Sequence, residues 1–231
     1  MLRWLVLMSL TLLGLATVWQ LGLIQVMFAT DRTRISSLIL VIFALTSVHC
    51  LAQTWFVSRE LVATRTFLST LRGGRFSPAP DDAERRSARS VIERHVANLV
   101  AKARAQGGRR VDQTLLLRVL ADRLRGREKL GWFVSEALLR LALLGTAVGF
   151  ILMLIPIAGL NAFDAETLRK ALSGMSGGMA IALNITVTGI GTALLLKLQY
   201  FVLGAGVVDL VDSITEVTEV HVVSALEHGI E

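Results

Sequence analysis

The sequence predicts an all-α integral membrane protein, and three observations carry that expectation. Hydrophobic residues make up 53% of the 231 residues and the mean hydropathy is +0.61, too apolar for an ordinary globular domain. Four stretches, Trp4 to Phe28, Ile35 to Val57, Ser135 to Pro156 and Ala171 to Leu196, approach the roughly 20 residues that cross a hydrocarbon core, and none has a charge in its middle. The in-out alternation of a barrel strand is missing, so a backbone in lipid must satisfy its own hydrogen bonds as helices. The expected division is 1–57 for the first two transmembrane helices, 58–130 for a basic cytoplasmic segment, 131–203 for the last two helices and 204–231 for an acidic helical tail. Helices three and four are expected to extend into the cytoplasm.

The opening Met-Leu-Arg-Trp-Leu-Val-Leu, with Arg3 as its charged end, has the look of a secretory leader. Its apolar run continues for about 25 residues and no small-x-small cleavage site follows, so a retained first helix is expected. The short connector Ala29 to Arg34 makes helices one and two neighbours. Helix two carries His49, Cys50 and Gln53 toward its far end, then Arg59 and Glu60. Polar side chains at that depth face the bundle interior and find an internal partner. His49 is read as structural over the alternative of a proton relay, because no acid accompanies it. Cys50 is the single cysteine, which excludes an internal disulfide and a Cys-rich metal site.

From Arg59 to Lys129 the composition changes: 17 of the 24 basic residues lie here against 8 acids. Arg59, Arg65, Arg72 and Arg75 follow helix two, and Arg118, Arg123, Arg125, Arg127 and Lys129 precede helix three. Basic residues at membrane ends mark the cytoplasmic side, which also puts both termini there. Pro78, Pro80 and Gly107-Gly108 mark breaks, while Glu84 to Arg104 and Val111 to Leu124 have helical spacing. Only Phe67 and Phe76 are aromatic and no binding motif occurs, so the charge is assigned to topology and lipid headgroups and not to nucleic acid.

The tail after Gly204 holds six acids and no Lys or Arg. Asp209, Asp212, Glu216 and Glu219 form one helical stripe opposite Leu210, Ile214 and Val217, which predicts that helix four continues as an amphipathic rod against the basic segment. A merely solvated acidic face is the alternative.

The last two apolar stretches contain small residues and hydroxyls that lipid solubility does not require. Gly145 with Gly149, and Gly174 with Gly178 and Ala182, are small-xxx-small patterns that let helices pack backbone to backbone. The connector Pro156-Ile-Ala-Gly-Leu-Asn-Ala-Phe-Asp164 closes them into an antiparallel hairpin. Counting about 20 residues per crossing puts Thr146 and Thr186 at a common level near the midplane. Gly178, Ala182, Thr186 and Gly189 share one helix face, and Asn184, Thr188 and Thr192 form a polar stripe on roughly the opposite one. Each threonine alone is explained by bonding to its own helix; two faces and a matched pair are explained less well that way.

Leu143-Leu-Gly-Thr-Ala-Val-Gly-Phe150 and Ala180-Ile-Ala-Leu-Asn-Ile-Thr-Val-Thr-Gly189 resemble the third- and fourth-helix motifs of the MotA/TolQ/ExbB proton channel family, and Tyr200 falls where that family often has Tyr. The order of elements resembles the flagellar stator branch. Ile181 stands where the ExbB and TolQ branches often have Glu, and Leu195 replaces a frequent Pro. The resemblance implies a homopentamer in the bacterial inner membrane around a dimer of a MotB/TolR/ExbD-like partner, whose single membrane helix carries an aspartate. It further implies that Thr146 and Thr186 line an ion path beside that carboxylate and that H⁺ or Na⁺ flow drives mechanical work.

The residues themselves also call for a partner. A threonine hydroxyl can bond a hydronium or replace a sodium ion's water but does not titrate near neutral pH, and no Asp, Glu, Lys or Arg lies mid-helix. A non-conducting scaffold is the competing reading. Catalytic residues, metal ligands and cofactors are not expected: His49, His95, His221 and His228 are scattered, and no Ser or Cys sits beside a base.

Overall fold

The computed structural model describes residues 34–72, 90–106, 112–158 and 165–228, together with Ser9, and all regular structure among them is helical. The elements are α1 (Ile35–Arg72), α2 (Val91–Gln106), α3 (Thr114–Ala158), α4 (Ala165–Val217), a π-helical turn (Thr218–Val223) and α5 (Ser224–His228). Three helices among the described residues are long and apolar enough to cross a membrane. The expected first helix, Trp4 to Phe28, lies outside the described residues, as do Pro78, Pro80, Gly107-Gly108 and the middle of the connector between α3 and α4.

The three long helices overrun a bilayer. At 1.5 Å per residue α1, α3 and α4 measure about 57, 68 and 80 Å, against a core of about 30 Å. No Gly or Pro interrupts α1 before Arg72, which Gly73-Gly74 follow, so nothing local stops it at the end of its apolar run. The helical spacing over Val111 to Leu124 belongs to a longer element: Thr114 begins a single 45-residue helix that passes through Gly126 and Gly131. Pro156, expected to open the connector, instead lies within the last turn of α3. There its missing N–H costs one bond near a terminus and not a mid-helix break.

By contact the chain forms two compact units, to which the long helices both contribute. The charged unit draws on Ala52–Glu128 and Val202–Glu231, the apolar unit on Leu2–Leu51 and Lys129–Phe201.

In the charged unit, α2 begins with a reciprocal cap. The Glu93 N–H donates to Ser90 Oγ (3.3 Å) and the Ser90 N–H to Glu93 Oε2 (3.2 Å), while buried Glu60 of α1 accepts the Val91 N–H at 2.7 Å. Of the expected helix from Glu84 to Arg104, the described residues show Val91–Gln106, and residues 84–89 lie outside them. Asp112 Oδ1 accepts from the Thr114 hydroxyl (2.6 Å) and N–H (2.8 Å) at the start of α3, and these bonds hold its carboxyl below the usual range. Leu210, Ile214 and Val217 are buried, whereas Asp209, Asp212, Glu216 and Glu219 are exposed. The first three acids make no ion pair among the described residues. Glu219 accepts from the Gln113 side-chain amide and not from a cation.

The rod does not run on unbroken. Fully buried Thr218 lies 2.9 Å from Gln113 Oε1 and 2.8 Å from the Ile214 carbonyl, and its one hydroxyl proton can serve only one of them at a time. A side chain competing for the backbone ladder in this way accompanies the change from α to π geometry at this residue.

His95 is 4% exposed, with Nε2 3.5 Å from Gln113 Oε1. Burial pushes its pKa below the ordinary value of 6.5, partly offset by Gln113. A folded-state value below the unfolded one makes the unfolded chain take up more protons, so stability is full above about pH 6.5 and falls as pH drops through it. The thermal midpoint in detergent should therefore fall between pH 7.5 and pH 5.5, and His95→Gln should lose visibly less over the same interval.

Candidate functional site

In the apolar unit α3 and α4 run antiparallel in a fixed register. Gly131 lies against Tyr200, Gly189 against Ala142, Gly145 against Ile185, Gly149 against Ala182, Gly178 against Met153 and Gly174 against Pro156. Each step of three to eleven residues up one helix is matched by an equal step, within one residue, down the other. A Cβ on Gly149 would come within 2.8 Å of the Ala182 Cα, and one on Gly178 within 2.6 Å of the Met153 backbone. Both positions leave space for hydrogen only, so the two backbones touch there. Gly145 also meets Ile35 at the start of α1, whose Cγ2 would stand 3.2 Å from an added Cβ.

That register fixes where the hydroxyls stand. Thr146 and Thr186 each follow a member of the Gly145–Ile185 contact, so they occupy one level of the hairpin. Both are half-buried. The Thr146 hydroxyl donates to the Leu143 carbonyl at 2.6 Å and the Thr186 hydroxyl to the Ala182 carbonyl at 2.9 Å. Each donor is thus engaged with its own helix, and each oxygen keeps acceptor capacity.

The second set of polar residues is placed differently from the sequence expectation. The Thr188 hydroxyl donates to Asn184 O (2.8 Å) and the Thr192 hydroxyl to Thr188 O (2.7 Å). Asn184 and Thr188 are half-buried, but Thr192 is 7% exposed. The stripe therefore winds into the packed side that holds Gly178, Ala182 and Gly189, and does not lie opposite it throughout. The cause is geometric: a row of residues four apart drifts by 40° at each step around the helix.

The electrostatics of the hairpin are simple. Between Arg140 and Ala158 on α3, and between Lys170 and Lys197 on α4, there is no ionisable side chain. The charges stand at the ends: Glu136 pairs with Arg140 at 3.2 Å, Glu166 with Lys170 at 2.8 Å, and Lys197 lies 5.8 Å from the centroid of the Trp132 ring. Such an interior can coordinate a cation or accept a proton-bearing donor but cannot hold a proton. No group of three or more His, Cys, Asp or Glu among the described residues could bind a metal ion.

Several contributors carry little signal in the sequence. Gly131 is needed because the Tyr200 ring lies on it, within 2.2 Å of where a Cβ would be. Gly204 similarly admits the Glu128 carboxylate in the charged unit. The polar residues of helix two have internal partners: His49 Nδ1 is 2.9 Å from the Tyr200 hydroxyl, and Gln53 Oε1 accepts from Arg127 at 2.8 Å. Arg127 also covers the Phe56 ring at 4.7 Å. Ser36 Oγ and Gln199 Oε1 are buried with no hydrogen-bond partner among the described residues.

A family model described as the MotA/TolQ/ExbB proton channel family matches residues 81–216, more than half of the chain. No curated protein and no solved structure matches.

Adjacent glycines on α4 test the seam. Gly178→Ala must displace the Met153 backbone and should cost about 1–3 kcal/mol, read as a lower midpoint of thermal unfolding in detergent. Gly177, with nothing within 4 Å of an added Cβ, should accept Ala with no loss.

Proposed function

The chain belongs to the MotA/TolQ/ExbB proton channel family, and from that premise we propose that it is the channel-forming subunit of a motor driven by a proton- or sodium-motive force. Members of the family are channel subunits and not enzymes, and the long apolar helices fit a membrane protein with several spans. In this reading four helices cross the bacterial inner membrane with both termini cytoplasmic. Five copies surround a dimer of a MotB/TolR/ExbD-like protein, whose single membrane helix supplies a titratable Asp. Ion flow past that acid is converted into rotation or other mechanical work. Residues 1–57 and 131–203 form the membrane helices, 58–130 the basic cytoplasmic segment and 204–231 the acidic tail.

The observation that carries the reading is the level shared by Thr146 and Thr186 in a hairpin with no acid of its own. With both hydroxyl protons donated to backbone carbonyls, the two oxygens act as acceptors. A protonated carboxyl and a hydrated cation are both donors, so either is met by complementary chemistry; an ionised carboxylate alone is not. The hydroxyls thus favour the loaded state of a partner's acid over its empty state. Each charge crossing can supply about 2.3 kcal/mol per 100 mV.

The same backbone bonds favour a second reading, in which the threonines serve packing and the chain is a non-conducting scaffold. The two separate on isosteric substitution. In liposomes holding the chain and its partner, Thr146→Val and Thr186→Val should each lower ion flux by about tenfold or more, the scale of one lost hydrogen bond to a charged or strongly polar group. The yield of complex should be unchanged and Ser should restore flux. Undiminished flux in both Val variants sinks the motor reading in favour of the scaffold.

A further inference from the structure

Tyr200 carries a polar joint that the hydroxyl pair does not use. It is fully buried, its ring lies on the bare backbone of Gly131 in α3, and its hydroxyl reaches α1, where it stands 2.9 Å from His49 Nδ1 and 3.4 Å from the Thr46 carbonyl. The His49 and Tyr200 rings are nearly parallel, 18° apart, with centroids 6.5 Å apart. One side chain thus touches three helices of the apolar unit. A packing role alone needs the ring; it does not need the hydroxyl or the imidazole.

The hydroxyl has one proton and two acceptors within reach, so the state of His49 decides where that proton points. In the neutral ring with its proton on Nε2, Nδ1 is bare, so the phenol donates to Nδ1 and the Thr46 carbonyl goes without it. With Nδ1 protonated, Nδ1–H donates to the phenolic oxygen and the phenol proton turns to Thr46. The first arrangement ties α4 to a side chain of α1; the second ties it through a chain of two bonds to the α1 backbone. No bond but hydrogen bonds changes, and one proton is gained or lost at His49.

Tyr200 faces His49 from α4, with Lys197 one turn earlier over Trp132. On α1 the neighbour is the buried Cys50 thiol, and α3 presents Gly131, which has no side chain. Glu136 and Glu166, the carboxylates among the described residues of this unit, pair with Arg140 and Lys170. What meets a proton on His49 from α4 is therefore the phenol and, through it, the Thr46 carbonyl.

We propose that His49 and Tyr200 form a proton-operated joint that sets the seating of α4 against α1, and that both are positioning residues for ion-driven work. This rests on the motor reading, because α4 also carries Thr186.

Two measurements on the full chain in bilayers test it. The first follows the ¹⁵N resonances of His49, assigned by their loss in His49→Gln, as pH is varied. Tyr200→Phe keeps the ring on Gly131 and removes the hydroxyl, and should move the His49 midpoint by about half a pH unit or more, the scale of a lost hydrogen bond. An unmoved midpoint overturns the joint. The second compares ion flux against pH with the partner present. His49→Gln and Tyr200→Phe should flatten the pH profile while retaining flux at its optimum, and an unchanged profile in both overturns the positioning role. Failure of the motor reading looks different: flux indifferent to Thr146→Val and Thr186→Val, with the ¹⁵N shift still present.

Discussion

The contact of α3 with α4 through bare backbone, at Gly149–Ala182 and Gly178–Met153, is the constraint on which the rest of the apolar unit depends. Lipid tails are as apolar as leucine, so helices in a membrane gain nothing from hiding ordinary side chains against one another. What they gain comes from close approach, and close approach requires residues with nothing in the way. Once those contacts are made, the register has no freedom left. It places Thr146 level with Thr186, sets the Tyr200 ring on Gly131 and seats Pro156 against Gly174. The same helices present Leu143, Leu144, Phe150, Leu183 and Val187 outward, so a large apolar surface remains to be covered by lipid or by other chains.

A hairpin of this kind has a definite chemical deficit. It offers acceptor oxygens at one level and has no group between Arg140 and Ala158, or between Lys170 and Lys197, that can carry a charge. An ion crossing such a region needs its charge held by something, since an unpaired charge at the centre of a bilayer is among the costliest arrangements a protein can adopt. Membership of a proton channel family and the lack of an internal acid both agree with the proposed function, in which the titrating group would be brought by another molecule.

The helical, membrane-embedded character of the fold was legible in the sequence because it follows from apolar run length alone. The family was legible from the hairpin, where glycine and threonine are out of place in lipid and therefore informative. Element ends were less so. Val111 to Leu124 has helical spacing, but nothing in that pattern shows that the helix passes on through Gly126 and Gly131, the second of which receives Tyr200. The partners of His49 and Gln53 were unreadable for a different reason: Tyr200 and Arg127 are 151 and 74 residues away, and no local pattern encodes so distant a meeting. The π turn at Thr218 depends likewise on Gln113, 105 residues earlier. The drift of Asn184, Thr188 and Thr192 into the packed side follows from the 100° step alone.

The account stands on one claim: this chain encloses a path but does not own the acid that works it. Its most direct measurement is proton or sodium flux into liposomes, made with the purified chain alone and again with a MotB/TolR/ExbD-like single-helix partner. The account predicts no flux above empty liposomes for the chain alone, flux when the two are combined, and loss of that flux when the partner's membrane Asp is changed to Asn. Equal flux with and without the partner would contradict it.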